Sequence, residues 1–507
     1  FDNAIAAQKD LNLSLGVALS KEQINNLKSD ILWYVEEVVN GEKVLVPKLY
    51  LSKNTLKSIA EEQGNIIKAG GNFVVNNASI VDNSGKIIAK NNVLIKSKNI
   101  YQNAAYSDTG IYANDIALTA KENIENIGGN IVAANKVSIY SEDGDIKNSK
   151  KLSIHENDYH DVYTDVRGSG NIVANNISIV GNNVENTGAD IKAQDKIEIG
   201  AKKNLVIGNL EAVDKKVRDG GKDYISDEKR TNIGSNLNAK DISLTSLGDI
   251  GITGSNIVAT NKASIQAKGD ISIVAGKDSV LHEEKHSKSK GFGRSSSEEN
   301  ISYATHNVSS NILGDKVNIR SEKDVSLLGS NVQANTEGQI KADGNITQAG
   351  VKDINYSYHK KTKKGFMGLT SKSIMDENYA EKAILSATLG GDKGLTYDSK
   401  NNLILSGVKV VSSGSIDLKG KNVEINPLET KSYNKHKEVK RGFSGSFSPK
   451  VISVSYGKDK LSSDTDIVNQ TASQIISNKD INIEATNKVE AKSVDIYAKN
   501  DVNISGD

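Results

Sequence analysis

His282-Glu-Glu-Lys-His286 carries the letters of the H-E-x-x-H zinc-protease pattern. That chemistry needs a helix, on which residues i and i+4 share a face and both imidazoles reach one ion. The neighbouring residues are instead polar, Gly- and Ser-rich and strand-like, with no apolar helical stripe. On a strand the two Cα atoms lie roughly 13 Å apart, too far to share zinc directly. His155 and His160 read as exposed loop residues. Asp145, Asp190, Asp195, Asp249 and Asp270 recur at turn positions, where Asp serves corners. A glycan lyase or hydrolase needs carboxylates converging on one groove. There is no phosphate-binding loop, no Ser/His/Asp or Cys/His set, and no Gly-Gly-x-Gly-x-Asp calcium repeat. The expectation is a chain that is not an enzyme, with no cofactor and no metal.

A different phrase is reiterated. His286-Ser-Lys-Ser-Lys-Gly-Phe-Gly293 returns as His359-Lys-Lys-Thr-Lys-Lys-Gly-Phe-Met-Gly368 and as His436-Lys-Glu-Val-Lys-Arg-Gly-Phe-Ser-Gly445. The flanks are polar and β-like, so each copy reads as a long hairpin with its basic Gly-Phe phrase near the tip. Basic side chains beside an exposed ring suit anionic lipid or lipopolysaccharide. The alternative is a solvated hairpin whose lysines blunt an edge strand. Gly442–Ser448 and Val451–Gly457 alternate apolar and small polar residues as a membrane-barrel hairpin does. Each run is shorter than the roughly 9–11 residues needed to span, so insertion would need several hairpins or chains together. The candidate membrane or partner contacts are Phe292, Phe366, Phe443 and Phe447.

These phrases interrupt a repeat that must position them. Gly128-Gly-Asn-Ile-Val-Ala-Ala-Asn-Lys-Val-Ser-Ile-Tyr140 returns from Gly170, Gly188 and Gly254, with further copies from Gly234 and Gly329. The period is roughly 20 residues where nothing intervenes. So short a unit cannot bury its apolar face alone, and must stack on its neighbours as a solenoid. Period-two aliphatics such as Ile131, Val137 and Ile139 indicate short strands, with Gly and Asn at the bends. Three such strands per turn give an all-β, right-handed parallel β-helix with lateral hairpin inserts. The inserts fall near 149–168, 210–232, 277–311, 351–400 and 428–476.

Composition agrees. A net charge of +1 offers no field for nucleic acid, and 5% aromatics with three Pro suit a narrow aliphatic bore. Cysteine is absent, which fits either a life outside the cytoplasm without disulfides or passage across a membrane unfolded. Phe1 opens the chain and both ends fall in repeat text, as in a fragment of something longer.

The front differs. Ser20-Lys-Glu-Gln23 is a capping box, with Leu19 and Ile24 placed as a hydrophobic staple. Ile24, Leu27, Ile31, Tyr34 and Val35 predict an amphipathic helix over 20–37, and Val44–Leu51 predicts a strand. Residues 1–60 then read as a helix-containing leader or cap of the repeat region, with Trp33 helping to bury one end, and 61–507 as the β-helix.

The run Ser20-x-Glu-Gln-Ile-x-x-Leu-x-Ser-Asp-Ile-x-Trp33, followed by Val44-Leu-Val-Pro-x-x-Tyr50, resembles the opening of the second haemagglutinin-repeat region of contact-dependent growth inhibition effectors. It is also similar to filamentous haemagglutinins secreted by two-partner systems, and Asn123–Ile131 and the three Gly-Phe inserts match that family's wording. The resemblance implies a non-catalytic segment of a large exoprotein at the cell surface of a Gram-negative bacterium. Its implied partners are an outer-membrane two-partner-secretion transporter and the target cell's outer membrane or a surface receptor. Its implied role is delivery of a C-terminal toxin into a neighbouring bacterium; the alternative is a filamentous adhesin. Solenoid ends and hairpin edges offer surfaces for self-association.

Overall fold

The computed structural model describes residues 2–39, 42–50, 52, 65–105, 107–448 and 451–506. They fall in two compact units, 1–66 and 67–507.

In the first unit, helices Asp2–Leu11 and Lys21–Asn25 precede an antiparallel pair, Ile31–Val39 with Glu42–Tyr50. The capping box is made: Ser20 Oγ accepts from Gln23 N, and Gln23 Oε1 accepts from Ser20 N. The expected helix over 20–37 is corrected. It stops after one turn at Asn26, and Ile31, Trp33 and Val35 are buried at period two. Isoleucine, valine and aromatics favour the pleat that this run adopts. Trp33 packs in this unit's own core with Leu13, Leu19, Leu27 and Tyr50, and its Nε1 donates to Ser14 O at 3.3 Å.

The second unit is built on a parallel sheet of 29 strands, consistent with a β-helix. Each coil has three sides, as in Asn130–Ala133 and Lys136–Ser141, joined where the register slips, and then Ile146–Ser149. Inward residues alternate with outward ones and stack coil upon coil. Ile111, Ile131, Ile172, Ile191, Leu237, Ile257, Ile312 and Val332 form one in-register column. All are buried, and each such side chain contributes about 1.5–3 kcal/mol.

Polar residues inside are stacked too. Gln102 Nε2 donates to Asn126 Oδ1 at 2.8 Å, Asn126 Nδ2 to Asn148 Oδ1 at 2.7 Å, and Asn148 Nδ2 to Asn186 Oδ1 at 2.6 Å. A side chain that must satisfy a buried amide does so with its own kind one coil away. The corner aspartates act likewise: Asp249 Oδ1 accepts from Asp270 N, and Asp270 Oδ1 from Asp324 N. Gly254 turns its corner at φ +52°, and a Cβ on Gly234 would lie 1.9 Å from the Gly254 carbonyl, so neither position admits a side chain.

The inserts leave the coil from a single corner. Ser149, Thr187, Gly208, Thr253, Val274, Leu328, Ala349, Ser406 and Asn426 lie at successive levels of that corner. Hairpins depart after Ser149, Gly208, Val274, Ala349 and Asn426 and never after the levels between. Every second coil therefore throws one hairpin. Two coils rise roughly 9.5 Å, and a hairpin's two strands occupy roughly 9.5 Å at normal β spacing. The hairpins consequently arrive at the spacing of neighbouring strands, and they merge into one antiparallel sheet of 10 strands. They are not separate arms.

Candidate interaction site on the hairpin sheet

The hairpins are numbered one to five along the chain; the first is the shortest and the last the longest. Hairpin one pairs Lys151–Glu156 with Val162–Gly168, and hairpin two Leu210–Asp219 with Asp223–Ile233. Hairpin three pairs Gly276–Lys290 with Arg294–Val308, and hairpin four Val351–Lys364 with Ser371–Ile384. Hairpin five pairs Leu428–Ser448 with Val451–Thr471, 21 residues a side. Trailing strands pair with the next leading strands: Asp223–Arg230 with Ser279–His286, Ser295–Ala304 with Asn355–Lys364, and Ser371–Ala380 with Ser432–Arg441.

The recurrent histidine of the phrase sits on these seams. His286 Nδ1 lies 2.8 Å from Asp223 and its Nε2 2.6 Å from Glu284. His359 lies 3.2 Å from Glu298 of hairpin three, and His436 lies 2.6 Å from Asp376 of hairpin four. Each thus joins its own hairpin to the one before. The Asp223 and Glu284 carboxylates raise the His286 pKa, and the Glu284, Glu298 and Asp376 carboxyls are lowered by their histidine and lysine partners. His282 and His286 lie on one strand, Gly276–Lys290, and His282 is 2.6 Å from Asp227. Among the described residues no cluster of three or more His, Cys, Asp and Glu donors is arranged to hold a metal. His155 stands on a strand, stacked on Tyr163 at 4.9 Å, whereas His160 is in the hairpin turn.

The aromatic tips are brought together in part. Phe292 occupies the turn of hairpin three at φ 60° and is 77% exposed. Phe366 opens a short 3-10 turn, Phe366–Gly368, at the tip of hairpin four. Met367 N donates to Phe292 O at 2.8 Å, and the two rings lie 5.7 Å apart. Met367 and Leu369 are exposed beside them. Lys290, Arg294, Lys363 and Lys364 flank the cluster in sequence. Phe443 departs from the expected tip position. It lies within its strand, opposite Tyr456 with ring centroids 5.1 Å apart, because the alternation of Gly442–Ser448 continues the ladder past the neighbouring hairpins. Phe447 pairs through its backbone with Ile452; its side chain lies outside the described residues.

Sequence reasoning missed a row of tyrosines. Tyr303, Tyr356, Tyr379 and Tyr433 stand directly opposite one another on successive strands. Tyr379 and Tyr433 stack at 5.2 Å, Lys435 Nζ lies 4.4 Å from the Tyr433 ring centroid, and Tyr433 Oη donates to Glu377 at 3.0 Å. Partial burial, then Glu377, pushes the Tyr433 pKa up to about 12. The available signal was spacing, since Tyr356 and Tyr433 each precede the phrase's histidine by three.

The hairpin-bearing coil coincides with a family match: residues 218–293 and 290–442 match the hemagglutinin repeat family. The chain is homologous to segments of CdiA and of filamentous hemagglutinin. It is 26% identical over its whole length to "tRNA nuclease CdiA" of Escherichia coli (strain STEC_O31) and 27% identical to "16S rRNA endonuclease CdiA" of Enterobacter cloacae subsp. cloacae. It covers 15% of each. It is also 38% identical over 74 residues to "Filamentous hemagglutinin" of Bordetella pertussis, covering 14% of this chain and 2% of that protein. No solved structure matches it. No helix among the described residues is long and apolar enough to cross a membrane, which leaves strands unaddressed.

Proposed function

We propose that this chain is the delivery segment of a secreted toxin exoprotein, in which a β-helix holds a sheet of hairpins against the surface of a neighbouring bacterium. Whole-length similarity to two CdiA proteins supports the reading. The observation that carries it to particular residues is the exposed Phe292–Phe366–Met367 cluster at adjoining tips, set among basic residues. Such a cluster suits the interface of an anionic outer leaflet, the rings entering and the cations meeting phosphates. The coil is right-handed with a roughly 20-residue repeat, as parallel crossovers nearly always are right-handed. The exoprotein leaves through an outer-membrane two-partner-secretion transporter and stays at the Gram-negative cell surface. The nuclease activity in the relatives' names lies outside these residues, and this segment is not itself catalytic.

The test is a competition co-culture with the full-length protein carrying Phe292→Ser, Phe366→Ser and Met367→Ser, scoring target binding and killing separately. Killing should fall while binding and surface display persist. Unchanged killing would sink the reading. Lost binding with display intact would instead favour an adhesin, the second reading, which the similarity to filamentous hemagglutinin supports.

A further inference from the structure

Among the described residues, the last strand of the hairpin sheet, Val451–Thr471, has a neighbour on one side only, Leu428–Ser448. From Tyr456 onwards this 21-residue strand has no backbone pairing on its outer edge among the described residues, and such an edge is a template for another strand. Its side chains from Val454 to Gln470 are exposed. Edge lysines commonly serve to repel such pairing, but here the charges are ordered by sign. One face carries, in alternate positions, Tyr456, Lys458, Lys460, Ser462, Asp464, Asp466 and Val468. Read backwards, that series is its own complement about Ser462.

We propose that this edge pairs antiparallel with the same edge of a second copy of the chain, with the two-fold axis at Ser462. In that register Lys458 faces the second copy's Asp466, Lys460 its Asp464, and Tyr456 its Val468, each contact occurring twice. Residues directly opposite in an antiparallel pair share a face and touch. The interface is therefore isologous and closed, ending at a dimer. Asp459 then faces Thr465 and Leu461 faces Ser463, so no like charges meet.

Two further observations favour a second copy over another partner. Among the described residues, Lys458, Lys460, Asp464 and Asp466 make no ion pair within the chain, and Lys458 stands opposite Arg441. Asp464 stands opposite Lys435, whereas Lys458 and Lys460 have no acid directly opposite within the hairpin; a second copy's edge supplies one. The trailing strands of hairpins two, three and four also offer a carboxylate (Asp223, Glu298, Asp376) to the histidine of the next hairpin. The corresponding face of this strand offers Leu461, Ser463 and Thr465. It is not built to receive one more hairpin of the same kind.

The chain has no cysteine, which makes a crosslinking test clean. Cα atoms across an antiparallel pair lie about 4.5–5.5 Å apart, within disulfide range. Ser462→Cys should therefore give an oxidised dimer in the full chain. Thr465→Cys, whose twin would lie about 20 Å away, should not. In sedimentation, K458D/K460D and D464K/D466K should each raise the dimer dissociation constant at least about tenfold. Mixing the two variants should restore association, because one then presents only acids and the other only lysines at the four positions. An unchanged thermal transition certifies that each variant folds. A monomeric wild-type chain at every concentration, swaps that leave the dimer intact, or crosslinking at Cys introduced at 465 but not at 462 would each overturn the proposal. So would capture of a foreign strand in place of a second copy.

Discussion

The parallel coil and the hairpin sheet are made of the same secondary structure and are held by different physics. In the coil, Ile257 touches Leu237 above and Ile312 below in a dry column, and its neighbours are fixed by a repeat written in adjacent sequence. In the hairpin sheet the corresponding joints are largely polar, beside the Tyr379–Tyr433 stack: His286 to Asp223, Lys361 to Glu298 at 2.6 Å, and Lys372 to Glu438 at 3.0 Å. Burial stabilises per unit of area almost independently of partner identity, whereas an exposed ion pair contributes little and depends on salt and pH. The coil is thus the rigid element and the sheet the adjustable one. What forces the sheet to exist is geometry, since two coils and two hairpin strands share the same rise.

The largest effect should follow from placing a charge in the column. Ile257→Asp removes a buried aliphatic and leaves a carboxylate without a partner, a cost of about 5 kcal/mol or more. Val280→Asp on the hairpin sheet, where the side chain is half exposed, should change stability by less than about 0.5 kcal/mol. Thermal unfolding monitored by circular dichroism compares the two, and equal losses would erase the distinction between the regions.

Removing residues 311–330 deletes one bare coil in register, because Asn311 stacks on Asn331 and Ile312 on Val332. The column should survive. Hairpins three and four would then be one coil apart, about 4.8 Å, with two strands to fit in the space of one. Hydrogen exchange should show Ser295–Ala304 losing protection while Ile257 and its neighbours keep it. Retained protection at 295–304 would mean that the alternation is incidental.

Asn148→Leu sharpens the comparison inside the coil. It removes the middle of the amide stack, leaving Asn186 Oδ1 without its donor and Asn126 Nδ2 with only the Gly129 carbonyl. The expected loss is about 2–4 kcal/mol, read as a lower denaturant midpoint. A neutral result would show that the stack is tolerated and not required.

Much of the coil was legible because its information is local and repeated. Ile131, Val137 and Ile139 announce a half-buried strand, and recurrence of the phrase says what covers it. Corner residues such as Asp249 and Gly254 were legible for the same reason. The hairpin sheet was not, because its contacts join residues far apart in sequence, such as His286 and Asp223. Nothing in either segment encodes the other's level on the coil; that follows only from which corner each hairpin leaves. Phe443 was placed at a tip by its likeness to Phe292 and Phe366, although its neighbours continue a strand. The run 24–35 misled differently: Ile24, Leu27 and Ile31 suit a helix, Ile31, Trp33 and Val35 suit a strand, and β-branched and aromatic content decided between them.

The smallest effect expected is also the one that separates the seams from the column most directly, because only the seams carry titrating groups. The folded sheet holds the His286 proton more tightly than the unfolded chain, whose value is about 6.5. That contribution is complete below about pH 6.5 and disappears as pH rises through the raised folded value. The Glu284 and Glu298 carboxyls act in the opposite sense. They are lowered from 4.5, so their contribution is present above about pH 4.5 and is lost as pH falls through the lowered values. The seams should therefore be firmest between about pH 4.5 and 6.5, while the aliphatic column should not respond to pH in that range. A His286→Gln variant keeps a hydrogen-bonding side chain and removes the titration. The difference in protease sensitivity of hairpins two and three between the wild type and this variant should be largest near pH 5.5 and vanish in alkaline buffer. A difference that persisted there would show that His286 acts through packing, and the contrast between a pH-sensitive sheet and an indifferent aliphatic column would fail at that residue.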